Sequence, residues 1–166
     1  MNFKRSLLSG IMFGILSLTA CGGGDGGTVA PQPSTVTLKL STSGTLPQGT
    51  ALAGIGITVI LPAGVTVHTD SGGAVSNGVV TVTGVAVSGT TITTFTPASG
   101  VTPSKLAIVM VSGATSGFGT GEFVTINCNL ASGISPKVAD FALTDFKPID
   151  LNGAPVNGLT ASATVN

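Results

Sequence analysis

From Thr35 to Asn166 apolar and polar residues alternate with a period of two, in short runs. "TVTLKL" sets Val36, Leu38 and Leu40 against Thr35, Thr37 and Lys39, the pattern of a strand with one buried face. "GIGITVIL" repeats it with Ile55, Ile57, Val59 and Leu61, and "EFVTINCNL" with Val124, Ile126, Cys128 and Leu130. "GLTASATV" closes the chain with Leu159, Ala161, Ala163 and Val165 facing inward. "KLAIVMV", residues 105 to 111, is apolar on both faces and predicts a central strand of the core. Helical periodicity is absent throughout.

Turn residues punctuate these runs about every ten positions: Ser71-Gly72-Gly73, Asn77-Gly78, Ser88-Gly89, Ser99-Gly100, Asn152-Gly153 and Asn157-Gly158. Asn-Gly supplies the positive φ angles of tight turns. Many short strands with regular turns predict an all-β sandwich or barrel. The stretch is long enough to bury a core without disulfides, and it shows neither an internal repeat nor a second domain.

The N-terminus follows another pattern. Lys4 and Arg5 precede an apolar run from Leu7 to Leu18, and Thr19 and Ala20 follow as small residues. This is the layout of a secretory signal over residues 1–20. The run from Ser6 to Ala20 is shorter than the ~20 residues that a membrane-spanning helix needs. "LTAC" resembles the lipobox of bacterial lipoproteins. That resemblance implies cleavage between Ala20 and Cys21, diacylation of the Cys21 thiol and acylation of the new amine. Two or three acyl chains hold a protein stably on a membrane where one holds it only marginally. "GGGDGGTVAPQPS", completing residues 21–34, reads as a tether whose glycines make it flexible. Its root-mean-square reach is about 20 Å. Gly22 stands where many inner-membrane lipoproteins carry aspartate, so the resemblance implies the outer membrane or cell surface.

Charge then removes whole classes of partner. Without residues 1–20, four lysines face five aspartates and one glutamate, a formal −2, and no arginine remains. Binding nucleic acid requires a basic stripe that displaces counterions, so no nucleic-acid partner is expected.

Four segments of the domain, residues 35–166, resemble cohesins, nine-stranded jelly-roll modules related to some carbohydrate-binding sandwiches. They are "TVTLKL", "AGIGITVILPAGVTV", "GTGEFVTINCNL" and "DFKPIDLNGAPVNGLTASATVN". The resemblance implies a single antiparallel jelly-roll β-sandwich that docks a protein of the dockerin kind. It carries over no partner-binding residue.

Candidate chemistry is sparse. His68, the one histidine, lies in "VTVHTD" beside Asp70, without a G-x-S-x-G elbow. It reads as a polar residue where a strand gives way to a turn rather than as part of a Ser-His-Asp site. Glu122 and the scattered aspartates do not form a motif for paired-carboxylate hydrolysis. One histidine and Cys128 cannot supply a zinc site, and Cys128 reads as a buried, inert thiol. "DLNGAPVNGL" echoes a calcium loop at Asp150 and Asn152. Ala154 and Pro155 break the pattern, leaving a hairpin. "GFGTGEF" leads into a strand, not a helix, so it reads as a turn rather than a phosphate cradle. No enzyme activity, metal or cofactor is expected.

The chain has neither tryptophan nor tyrosine, the usual platforms for sugar rings. Phe95 and Phe123 are the candidate exposed pair, and thus the candidate ligand-binding residues. Their exposure on one flat face would favour a polysaccharide partner. Their burial beneath an aliphatic face would favour protein docking. A purely structural envelope role is the third alternative.

Overall fold

The computed structural model describes residues 34–166; the expected signal over residues 1–20, with Ala20, and all of the expected 21–34 tether but Ser34, with Cys21, lie outside the described residues. Nine strands follow in order: β1 (Ser34–Ser43), β2 (Leu52–Ile60), β3 (Val65–Val67), β4 (Val80–Val82), β5 (Thr90–Thr96), β6 (Lys105–Val111), β7 (Gly121–Leu130), β8 (Ala142–Asp150) and β9 (Thr160–Val165). The first strand begins one residue before the expected Thr35. Five strands form one sheet in the order β3-β7-β1-β9, with β4 also on β7. Four form the second, β5-β6-β2-β8. All pairings between these strands are antiparallel.

The inward residues of both sheets make one core. Leu38, Leu40, Val124 and Ile126 meet Ile55, Ile57, Val59, Leu106, Ile108 and Met110 there, all buried. Leu159, Ala161, Ala163 and Val165 pack against it, half-buried. The protein is therefore an all-β, two-sheet antiparallel sandwich.

Two expectations need correction. β6 is interior to its sheet, between β5 and β2, but it is buried on one face only. Leu106, Ile108 and Met110 point into the core, whereas Val109 and Val111 are 49% and 47% exposed. A two-layer sandwich covers each sheet once and leaves its other face in solvent. Phe123 is the second case. Along β1 and β7 the register pairs Leu40 with Val124 but Ser41 with Glu122. Phe123 is the extra residue of a β-bulge, which puts it out of step with the alternation. Phe123 and Val124 are consequently both 0% exposed.

Two connections share one construction. Asp70 Oδ1 accepts the N–H groups of Gly72 and Ala74 at 2.8 and 3.0 Å. Asp150 Oδ1 accepts those of Asn152 and Ala154, both at 2.8 Å. In each, the aspartate N–H donates to the alanine carbonyl four residues on, and the intervening Gly73 or Gly153 has φ +84° or +79°. "DSGGA" and "DLNGA" are the same closed turn, a local repeat hidden by their differing middle residues.

The start of β1 and three connections share one end of the sandwich. Ser34 pairs with Leu130, and Leu130 with Val65 on its other side. Leu61 N–H donates to the Ser104 carbonyl at 3.0 Å, and Ala131 N–H to the Gly64 carbonyl at 2.8 Å. The β1–β2, β6–β7 and β8–β9 connections lie at the opposite end.

Candidate functional site

The outer face of the four-stranded sheet is built by register. Direct pairing aligns Ile92, Val109, Gly56 and Lys147 in one row across β5, β6, β2 and β8. The next row is Thr90, Val111, Gly54 and Ile149. A third carries Thr94, Ala107, Thr58 and Thr144. Ile92 is 71% exposed and Ile149 38%, so with Val109 and Val111 four aliphatic side chains share two adjacent rows in solvent.

Gly54 and Gly56 leave β2 without side chains in two of these rows. A Cβ on Gly54 would lie 2.8 Å from the Met110 carbonyl oxygen and 3.5 Å from the Ile149 side chain. The bare backbone lets β2 and β6 close, and Ile149 lies over it. Lys147 is the charged residue of these three rows, at the β8 edge. Neighbouring aliphatic groups on an exposed sheet face offer apolar contact area.

The other sheet presents different chemistry. Its outward side chains are mostly hydroxyls and amides, and some bond to one another: Thr37 Oγ1 donates to Asn127 Oδ1 at 3.2 Å, and Ser43 and Thr160 share a hydrogen bond of 2.9 Å. Lys39 Nζ sits 3.2 Å from Glu122 Oε2. Hydrogen bonding from Thr83, together with the Lys39 charge and the Thr125 hydroxyl, holds the Glu122 carboxyl below its ordinary range despite some burial. These polar groups already have partners within the sheet.

The expected aromatic pair does not form. Phe123 is sealed in the core from the five-stranded sheet. Phe95 pairs with Leu106 on the inner side of β5, half-buried. Phe118 and Phe141 are buried, and Phe146 packs against the core. All five phenylalanines of the described residues thus point into the sandwich rather than onto either sheet's outer face.

The catalytic candidates stand apart. His68 is exposed just beyond β3, with Nδ1 2.7 Å from Ser76 Oγ. The nearby Asp70 carboxylate is engaged by backbone N–H groups of its own turn, so it does not orient the imidazole. Asp150 is engaged in the same way. The Ala154 N–H and then the Asn152 groups lower its pKa against a smaller opposing desolvation. Cys128 is a free thiol, 0% exposed, and burial pushes its pKa up to about 11. Among the described residues no three histidine, cysteine or acidic side chains gather as metal ligands. Gly117 and Gly121 take positive φ in a turn that leads straight into β7. A Cβ on Gly117 would come within 2.5 Å of the Leu52 carbonyl, so that glycine serves chain packing.

Sequence reasoning missed Ile92, Val109, Val111 and Ile149 as a surface. For Val109 and Val111 the signal is the apolar residues on both parities of "KLAIVMV", which predict double burial as readily as a solvent-facing row; Ile92 and Ile149 stand on other strands and join them only through the register.

No family model matches the chain, and neither does any curated protein. Among solved structures, a non-cellulosomal cohesin from the hyperthermophilic archaeon Archaeoglobus fulgidus is similar to it at 12% identity and a TM-score of 0.48. That likeness covers 76% of this chain and 75% of the cohesin chain.

Proposed function

We propose that this chain is a non-catalytic docking module of the cohesin kind that binds a protein partner through the outer face of its four-stranded sheet. The observation that carries the reading is the division of apolar side chains. No described phenylalanine stands on the outer face of either sheet, while Ile92, Val109, Val111 and Ile149 stand together on the outer face of the four-stranded sheet. Sugar recognition by stacking needs an exposed ring, whereas a protein partner can bury aliphatic area against such a face. The four cohesin-like segments of the sequence, now β1, β2–β3, β7 and β8–β9, support the same class.

The lipobox-like "LTAC" supports a lipid anchor at Cys21 after removal of residues 1–20, with the domain displayed from the outer membrane or cell surface. The partner would then be a secreted or surface protein, held where the anchor places this module.

Affinity capture tests the docking reading. The full mature chain and its Val109→Asp variant are immobilised and exposed to envelope and secreted extract, with calcium and then with chelator. A partner retained by the parent and lost by the variant supports docking through this face. Calcium-dependent retention of a protein with paired calcium loops would make the partner dockerin-like. Equal capture by both chains, or retention of polysaccharide alone, overturns the reading.

A further inference from the structure

The end of the sandwich where β1 begins holds an apolar cleft of about 370 Å³ between residues 61–64 and 97–104. Among the described residues its lining carries no charge; Phe95 and the prolines 62, 97 and 103 contribute to it. Val101, at the apex of a tight turn, is part of its rim. Ser99 and Thr102 exchange both backbone hydrogen bonds, at 3.1 and 3.0 Å, and Gly100 takes φ +57°. The turn therefore holds Val101 outward by its own hydrogen bonds, and the side chain is 102% exposed. Ile134 and Val138 are exposed on the β7–β8 connection at the same end. Lys105 follows the lining residue Ser104, and Lys137 lies on that connection. The Asp140 carboxylate there accepts the Lys137 backbone N–H at 2.7 Å.

We infer that this end rests on a lipid surface, with Val101 at the boundary between headgroups and acyl chains and the two lysines toward anionic headgroups. The inference rests on the lipid anchor proposed at Cys21, and it fixes an orientation that the tether alone leaves free. Reach selects the occupant. The chain joins the domain at Ser34, at this end, after a tether whose root-mean-square length is about 20 Å. The opposite end lies a further ~30 Å away along the nine-residue β2. The bilayer is thus nearest the end with the exposed valine, the uncharged cleft and two flanking cations. Interfacial binding draws on buried apolar area and on attraction of cations to anionic lipid, and this end supplies both.

The absence of tryptophan and tyrosine makes single-tryptophan reporters clean. The full mature chain is reconstituted in phosphatidylethanolamine–phosphatidylglycerol vesicles containing brominated lipid. Val101→Trp is compared with Leu151→Trp, an exposed position at the opposite end. The expected result is a blue shift and loss of emission for Val101→Trp and water-like, unquenched emission for Leu151→Trp. Water-like emission from both, while the chain still floats with the vesicles, overturns the inference and leaves the anchor standing. Equal quenching of both also overturns it, as does a blue shift at Val101→Trp that needs no vesicles and grows with protein concentration, which would mark a second copy as the occupant. Cys21→Ser separates the two readings. Flotation of that variant as complete as the parent's, with Val101→Trp still quenched, removes the anchor and upholds the lipid-facing end.

Discussion

Phe123 and Cys128 lie on the same strand, and each is governed by complete burial. Truncating a sealed phenylalanine removes its transfer free energy and leaves a cavity that neighbours only partly fill. Phe123→Ala is therefore expected to cost about 3–5 kcal/mol, measured by urea unfolding. Phe95→Ala, half-buried beside an open cleft, should cost less; equal losses would mean that the bulge does not seal Phe123. The Cys128 thiol, with its pKa raised to about 11, should resist alkylation in the folded chain and react once urea unfolds it. Its sign in stability is definite. The folded state keeps this proton longer than the unfolded chain does, so the contribution is whole below about pH 9 and is lost as pH rises toward about 11. A stability profile flat across that window relative to Cys128→Ala would refute this. Alternation alone revealed Cys128, because it stands in step with Ile126 and Leu130. It could not place Phe123, since a bulge shifts parity without any mark in the hydrophobic pattern.

The two Asp-x-x-Gly-Ala turns make a paired prediction for elements. Gly73 and Gly153 both adopt the left-handed region, and a Cβ on either would meet nothing within 4 Å. The penalty for alanine is then conformational alone. Each of Gly73→Ala and Gly153→Ala should cost about 1–2 kcal/mol in thermal or urea unfolding, and the two costs should agree. Gly84→Ala provides the contrast, because its Cβ would collide with the Glu122 carbonyl oxygen in addition to the backbone penalty at φ +57°. Should Gly84→Ala prove as mild as the other two, close packing of that turn on β7 would be disproved. Turn positions were legible from Asn-Gly and Ser-Gly pairs because only glycine enters that region cheaply. The shared architecture of the two turns was not legible, since it depends on a carboxylate and carbonyl geometry that "SGG" and "LNG" do not spell alike. Strand existence was likewise clear from alternation. Which face of β6 met solvent depended on how many layers the molecule stacks, a fact that no single strand encodes.

Across the whole molecule the sheet edges are protected unequally. The β8 edge is broken by a bulge at Asp145, whose φ is +53°, and carries Lys147 and Pro148. On the β7 side, β3 and β4 are three-residue strands separated by the 68–79 excursion. β5 has none of these devices. Its seven residues, "TTITTFT", are uncharged and run alongside the aliphatic face through Ile92. An unbroken edge of unpaired N–H and C=O groups is a template for adding another strand, and one inserted lysine commonly suppresses it. The formal charge of −2 on the chain after residue 20 supplies little mutual repulsion. Concentrated protein should therefore self-associate through β5 in sedimentation velocity, and Thr94→Lys should reduce that association. Thr94 is exposed on the outer face of this edge strand, so the monomer's unfolding midpoint should stay within about 0.5 kcal/mol of the parent. Unchanged association in Thr94→Lys would move the contact off β5, and Val109→Asp would then decide between the aliphatic rows, where it abolishes association, and the uncharged β9 edge, where it does not.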